Sequence, residues 1–265
     1  MKTRGMKLSA LLAFLSGSLY GAVILATQQA WADDGQFSLT GGFDAKPDKY
    51  STSNSTDILA NQTIGKYETG PWEFKLSVPD VSISGTGGIA SGNDLIRAGS
   101  PTGSTRTGKG DSIAAATYNI YSGRASSFGI GLTGKVKLGI ADKITGLGNG
   151  QNDYAAEADA YQSFTKFTAL GSLGYKVLGS PAGIGADSVL YGSLGGIYQL
   201  NDQMSGGVDI NMAQGPSATA ADQRNLTAYV SHNINKSMKA RGYVLKGFAN
   251  GSPDTGLGAQ VYYGF

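Results

Sequence analysis

The chain has 265 residues, with 41 glycines, 14 tyrosines, one histidine and no cysteine, and its 21 basic and 19 acidic residues leave a formal charge of +2. The missing thiols exclude a disulfide framework and any cysteine-ligated metal, and a single histidine leaves little for metal or triad chemistry. No metal, cofactor or nucleic-acid partner is expected, because the near-neutral balance gives an acidic polymer no electrostatic footing.

The first element reads as a processing signal. Lys2, Arg4 and Lys7 make a basic head, residues 8–26 are mostly apolar, and Ala30-Trp31-Ala32 stands just before Asp33-Asp34. A basic head, an apolar middle and a small-x-small site make a secretory signal peptide over 1–32, with an uncleaved anchor as the competing reading. Residues 33–265 are then one domain.

From Phe37 onward the apolar residues recur with a period of two, the signature of strands with one apolar face. A first strand over 37–44 carries Phe37, Leu39 and Phe43 on one side. Over 128–140, Phe128, Ile130, Leu132, Val136, Leu138 and Ile140 share one parity, and Thr133, Lys135 and Lys137 share the other. The same two-faced writing returns over 165–177, 204–213 and 224–234, and the chain ends on GAQVYYGF with Val261, Tyr263 and Phe265 in phase. About twelve such segments of roughly ten residues are the repeated signal of a transmembrane barrel.

The connections support that reading. Tight turns at 68–71, 122–125, 163–165, 201–202 and 235–236 alternate with longer stretches at 46–56, 85–110, 141–152, 179–187, 214–222 and 249–254. A soluble sandwich has no reason to alternate in this way, whereas an outer-membrane barrel has short periplasmic turns and long outer loops. Trp72, Phe74, Phe164, Phe167, Tyr198, Tyr263 and Phe265 lie beside the turns or at the terminus, where an interfacial girdle needs rings. The expected fold is all-β, an antiparallel transmembrane β-barrel of about twelve strands whose last strand closes against its first, since closure removes edges that a bilayer does not tolerate.

A terminal Phe265 preceded by Tyr263 in phase resembles the signal that the bacterial barrel-insertion machinery reads. KYETGPW (66–72), KLSVPDVSISGTG (75–87), GKGD (108–111), ADKITGLGNGQNDY (141–154) and GFANGSPDTGLG (247–258) resemble stretches of a set of small proteobacterial outer-membrane barrels. Members of that set carry transporter labels or are likened to an outer-membrane protein of a phenol-degradation pathway. The resemblance implies a Gram-negative outer-membrane location, reached through the periplasm, and contact with outer-membrane lipid and lipopolysaccharide. One position departs from the set: Asp80 stands after SVP where an aromatic is expected.

If the apolar parity faces lipid, the opposite parity lines the lumen. It supplies Glu73 and Lys75, then Thr117, Asn119 and Tyr121, then Lys135 and Lys137, then Glu157, Asp159 and Tyr161. Lys166 and Lys176 follow, then Asp209, then Tyr229, then Lys239 and Arg241. Two outcomes are open. The charges pair into a network that fills a narrow barrel, or they line a path for a small polar or amphipathic solute. Inner glycines at 129, 131, 195, 207 and 258 lean towards space inside. The long loop over 85–110 carries Arg97, Arg106 and Lys109, which either fold inward as a basic constriction or, the preferred reading, face lipopolysaccharide phosphates. No enzyme is expected: His232 follows Ser231 on a strand, so the two side chains point to opposite faces. The function expected is passive or gated passage through a narrow charged lumen, and the alternative is a plugged barrel acting through its outer loops.

Overall fold

The computed structural model describes residues 11–14, 24–27, 35–48, 56–85, 104–122, 127–141, 145–180, 187–217 and 220–265. Six long strands come first: β1 (Gln36–Asp48), β2 (Thr56–Thr69), β3 (Trp72–Gly85), β4 (Ser112–Ser122), β5 (Phe128–Leu138) and β6 (Asp153–Ser163). Six more follow: β7 (Phe167–Val177), β8 (Val189–Gln199), β9 (Met204–Ala213), β10 (Gln223–Asn233), β11 (Met238–Gly247) and β12 (Thr255–Gly264). Each pairs antiparallel with the next in sequence, and β12 returns to β1 through Leu257↔Ala45 to Gly264↔Ser38, closing a 12-strand barrel. A short strand, Arg106–Lys109, extends the β4 edge along the far half of β3. Outside the barrel, Leu11–Phe14 pairs with Ile24–Thr27.

Local chemistry sets the short connections. Gly70, at φ 52°, sits in the two-residue Gly70-Pro71 turn, where a left-handed first position suits the hairpin twist and proline fixes the second. Asn201 and Asn235 make matching turns, their Oδ1 atoms accepting from the N–H groups two and three residues on at 2.8–2.9 Å. These turns share one end of the barrel with Phe265, whose N–H donates to the Phe37 carbonyl at 3.0 Å. The longer connections lie at the other end.

The two walls have opposite chemistry. Leu39, Leu76, Leu132, Leu173, Leu194, Ile210, Val230, Val244 and Val261 stand exposed on the outer wall. Ring contacts gather at the short-turn end: Trp72 with Phe74 and Tyr118, Phe164 with Phe167, and Phe265 with Phe37 and Tyr263. The inner wall is polar and buried.

One strand breaks parity. The register of β4 against β5 shifts between Asn119 and Tyr121, which leaves Ile120 unpaired. Ile120 and Tyr121 are therefore both exposed outside, and Tyr121 packs on Phe128 at 6.2 Å. The expectation that Tyr121 faces the lumen is corrected: a bulge moves every residue beyond it to the other face.

At the long-loop end the pattern inverts. Beyond Val78 the outward residues of β3 become Asp80, Ser82 and Ser84, while Pro79, Val81 and Ile83 turn inward and are buried. Ile58, Ala60, Val81 and Ile83 pack with Ala141 and Leu147 of the β5–β6 connection. Here the barrel is written like a water-soluble protein, apolar inside and polar outside, and Leu147 caps the interior.

Candidate functional site: the charged lumen

Over β2, β3, β5 and β6 the inner charges are paired, with Asp159 of β6 the exception. Register sets Lys66 opposite Lys75 and Glu68 opposite Glu73, like against like. The pairs therefore form along strands and diagonally: Lys66 reaches Glu68 at 2.8 Å and Glu73 at 3.5 Å, and Lys75 reaches Glu73 at 2.5 Å. Lys135 meets Glu157 at 2.8 Å and lies 5.6 Å from the Tyr191 ring centroid. Lys137 meets Asp153 at 2.9 Å and Asp111 at 3.5 Å. Hydroxyls complete the wall, with Thr117 and Thr133 2.8 Å apart and Ser172 and Ser193 2.7 Å apart. Lys176 is buried on the same inner wall.

Over β9, β10 and β11 the charges are not satisfied. Asp209 is 1% exposed, and neither carboxylate oxygen has a hydrogen-bond partner among the described residues. Arg241 lies with its Cζ 4.0 Å from the Tyr229 ring centroid, and its Nε donates to Ser231 Oγ at 2.9 Å. Among the described residues its Nη1 and Nη2 have no hydrogen-bond partner, and neither has Lys239 Nζ, which lies 5.9 Å from the Tyr262 ring centroid. Asp159, on β6, also has both oxygens unpartnered.

The inner glycines are not open space. Gly129, Gly174, Gly207 and Gly258 each stand directly opposite an inward tyrosine, respectively Tyr161, Tyr191, Tyr229 and Tyr243. In each case the ring occupies the position where a Cβ would be. Gly131 and Gly195 receive the carboxylates of Asp159 and Asp209 in the same way. Each glycine thus lets a neighbour lie flat on the wall. This corrects the expectation that they leave room in the lumen.

Glu73, Lys75, Lys135, Lys137, Glu157, Asp159, Tyr161, Lys176, Asp209, Tyr229, Lys239 and Arg241 all lie on the inner wall. Lys166 does not. It has the inward parity of β7 but precedes the strand, in the turn at 164–166, where it is exposed and its carbonyl accepts from the Gln199 N–H at 2.8 Å. Arg106 is corrected too: it pairs with inward Ile83, is half-buried, and donates from Nη1 to the Thr145 carbonyl at 2.8 Å. It pins the capping loop instead of meeting the surface. Lys109 is exposed and pairs with Asp80 at 2.7 Å on the outer face, which is where the residue that departs from the resemblance is used. Arg97 lies outside the described residues. Tyr263 and Phe265 are exposed at the short-turn end.

Sequence reading missed Asp44 and Lys46, 2.5 Å apart, as well as Lys66, Glu68, Asp111 and Asp153. Asp44 already lies within the strand expected over 37–44, on the parity opposite to Phe37, Leu39 and Phe43, and extending that strand to 48 adds Lys46. Ser231 turns inward to Arg241 while His232 is exposed outside, so the two do not meet. Among the described residues no group of three or more His, Asp or Glu is placed to hold a metal ion.

No family model matches the sequence, and no curated protein does. Solved structures do match. An outer membrane channel from Pseudomonas putida F1 superposes with a TM-score of 0.67 at 10% identity, over 87% of this chain and 96% of that one. The NanC porin gives 0.55 at 8% identity, over 86% and 98%. The KdgM porin in complex with disordered oligogalacturonate gives 0.50 at 12% identity, over 85% and 99%. At these identities the likeness concerns architecture, and the chain has the fold of an outer-membrane β-barrel of the channel and porin type.

Proposed function

We propose that this protein is an outer-membrane channel giving gated passage to a small polar or amphipathic solute through its charged lumen. The observation that carries the reading is the pairing of walls: an apolar outer surface with an aromatic girdle encloses an inner wall that is polar and charged along most of its length. A barrel serving only as a lipid-bound scaffold has no use for buried ions that lack partners, since each is costly to hold out of water. Residues 1–32 act as the export signal, Tyr263 and Phe265 present the terminal strand to the insertion machinery, and the outer loops with Lys109 meet lipopolysaccharide. The same reading extends to membership of the small proteobacterial barrel set.

One observation favours the second reading, a plugged barrel acting through its loops. Glu157, Asp159, Tyr161, Tyr191, Tyr229 and Arg241 are each no more than 5% exposed, so side chains fill the lumen and Leu147 covers its outer end. Passage then requires those side chains and the cap to move.

Single-channel recording of the folded protein in a planar bilayer under a salt gradient separates the two. Discrete openings with a reversal potential are expected. Persistent silence from protein verified as folded overturns the channel reading in favour of the plug.

A further inference from the structure

Among the described residues, two cations on β11 lack the hydrogen-bonded carboxylates seen elsewhere in the lumen: Asp209 acts on Arg241 only through space, and Lys239 Nζ has the Tyr262 ring at 5.9 Å. Lys239 and Arg241 face inward two residues apart, at 4% and 3% exposure. Strand β10 sets Asn233 and Ser231 opposite them, and β12 sets Tyr262 and Gln260. None of these is acidic. One strand further, β1 contributes Thr40 and Gly42 at the same level. The nearest wall carboxylates along the sheet are Asp209 on β9 and Asp44 on β1, each two strands from β11 and each nearer the long-loop end. Lys66, Lys75, Lys135 and Lys137 all have a carboxylate within 3.5 Å, so this barrel pairs inner cations where pairing is the purpose.

Arg241 is also held in a defined pose. Its Nε is tied to Ser231 Oγ, and its plane lies on Tyr229, whose ring is itself seated on Gly207. Those contacts use one edge and one face of the guanidinium. The edge left over carries Nη1 and Nη2, neither with an acceptor among the described residues. That edge is a preorganised fork matching the two oxygens of a carboxylate, and Lys239 adds a second positive charge beside it.

We propose that Arg241 and Lys239 form a lumenal subsite for the carboxylate of a small organic anion, with Arg241 binding it bidentately and Lys239 supplying charge. The proposal deepens the channel reading and rests on it for the claim that solute enters the lumen. A bound carboxylate gives Arg241 Nη1, Arg241 Nη2 and Lys239 Nζ the hydrogen-bond acceptor that they lack among the described residues.

The test uses the whole protein, extracted folded from outer membranes into detergent, with sodium acetate as the probe and acetamide as the uncharged control. Saturation transfer from protein to the acetate methyl protons reads binding directly, independent of conductance. Saturable binding of acetate and none of acetamide is expected. Arg241→Lys, which keeps the charge and loses the fork, is expected to weaken binding about tenfold. Lys239→Gln is expected to weaken it several-fold, and Lys166→Gln, in the exposed turn, to leave it unchanged. No saturable acetate signal in the parent, or equal binding in the parent and Arg241→Lys, overturns the subsite. A silent bilayer with intact Arg241-dependent binding sinks the channel reading and leaves the subsite standing. Conduction without such binding does the reverse.

Discussion

Gly207 and Tyr229 stand directly opposite each other on β9 and β10, and the tyrosine ring lies where the glycine would carry a Cβ. Arg241 in turn lies over that ring, its Cζ 4.0 Å from the centroid. One missing side chain therefore sets the height of two others above the wall.

Gly207→Ala is expected to displace Tyr229 and to press on the Gly196 carbonyl oxygen, which would lie 2.8 Å from the new Cβ. Overpacking of this kind destabilises by about 1–3 kcal/mol. Gly134→Ala is the control, because a Cβ there meets nothing within 4 Å. Urea unfolding of the two variants in micelles should separate them, and equal midpoints would show that Tyr229 is not seated on Gly207.

The Lys135–Glu157 pair is buried at 2.8 Å, so removing one partner strands the other. Glu157→Gln is expected to cost roughly 3–5 kcal/mol, the scale for breaking a buried pair. Replacing both residues by Met is expected to recover most of that loss, since no charge is left unmatched. A single variant as stable as the parent would mean that water reaches Lys135.

Leu147 shares one buried cluster with Val81 and Ile83 at the long-loop end. The native chain has no cysteine, so a Val81→Cys thiol is the one reporter in its background. That thiol is expected to resist a membrane-impermeant reagent added outside, and to react once Leu147→Asp is combined with it. Equal labelling with and without the Asp would show that the 139–152 connection does not close the mouth.

Phe265 is 74% exposed and touches Phe37 and Tyr263. Phe265→Ala is expected to change stability in micelles by about 1 kcal/mol, the scale of its ring contacts. If Phe265 serves as the proposed insertion signal, the folded fraction recovered from outer membranes should fall several-fold. If detergent stability and membrane yield fall in proportion, the residue acts through packing alone.

Period-two alternation fixed the two walls, the alternation of short and long connections, and most of the lumen. Lys135, Lys137, Glu157, Asp159, Asp209, Lys239 and Arg241 were legible because adjacent strand residues must point to opposite faces. Parity says nothing, however, about where a strand begins, so Lys166 read as lumenal although it stands in a turn. Parity also fails across an unpaired residue, and the unpaired Ile120 turned Tyr121 outward.

What the tertiary structure alone decided is pairing across strands. A glycine reads the same whether it opens the lumen or receives a neighbour's ring, and only register brings Gly129, Gly174, Gly207 and Gly258 opposite tyrosines. A cation reads the same with a carboxylate bonded to it or without one, and only the assembled sheet gives Lys135 its Glu157 and leaves the Arg241 Nη atoms without a hydrogen-bond partner among the described residues. The sequence by itself determined which face a residue takes within an unbroken strand, because there the residue's own backbone sets it. Which residues share the enclosed space depends on the register and closure of all the strands together.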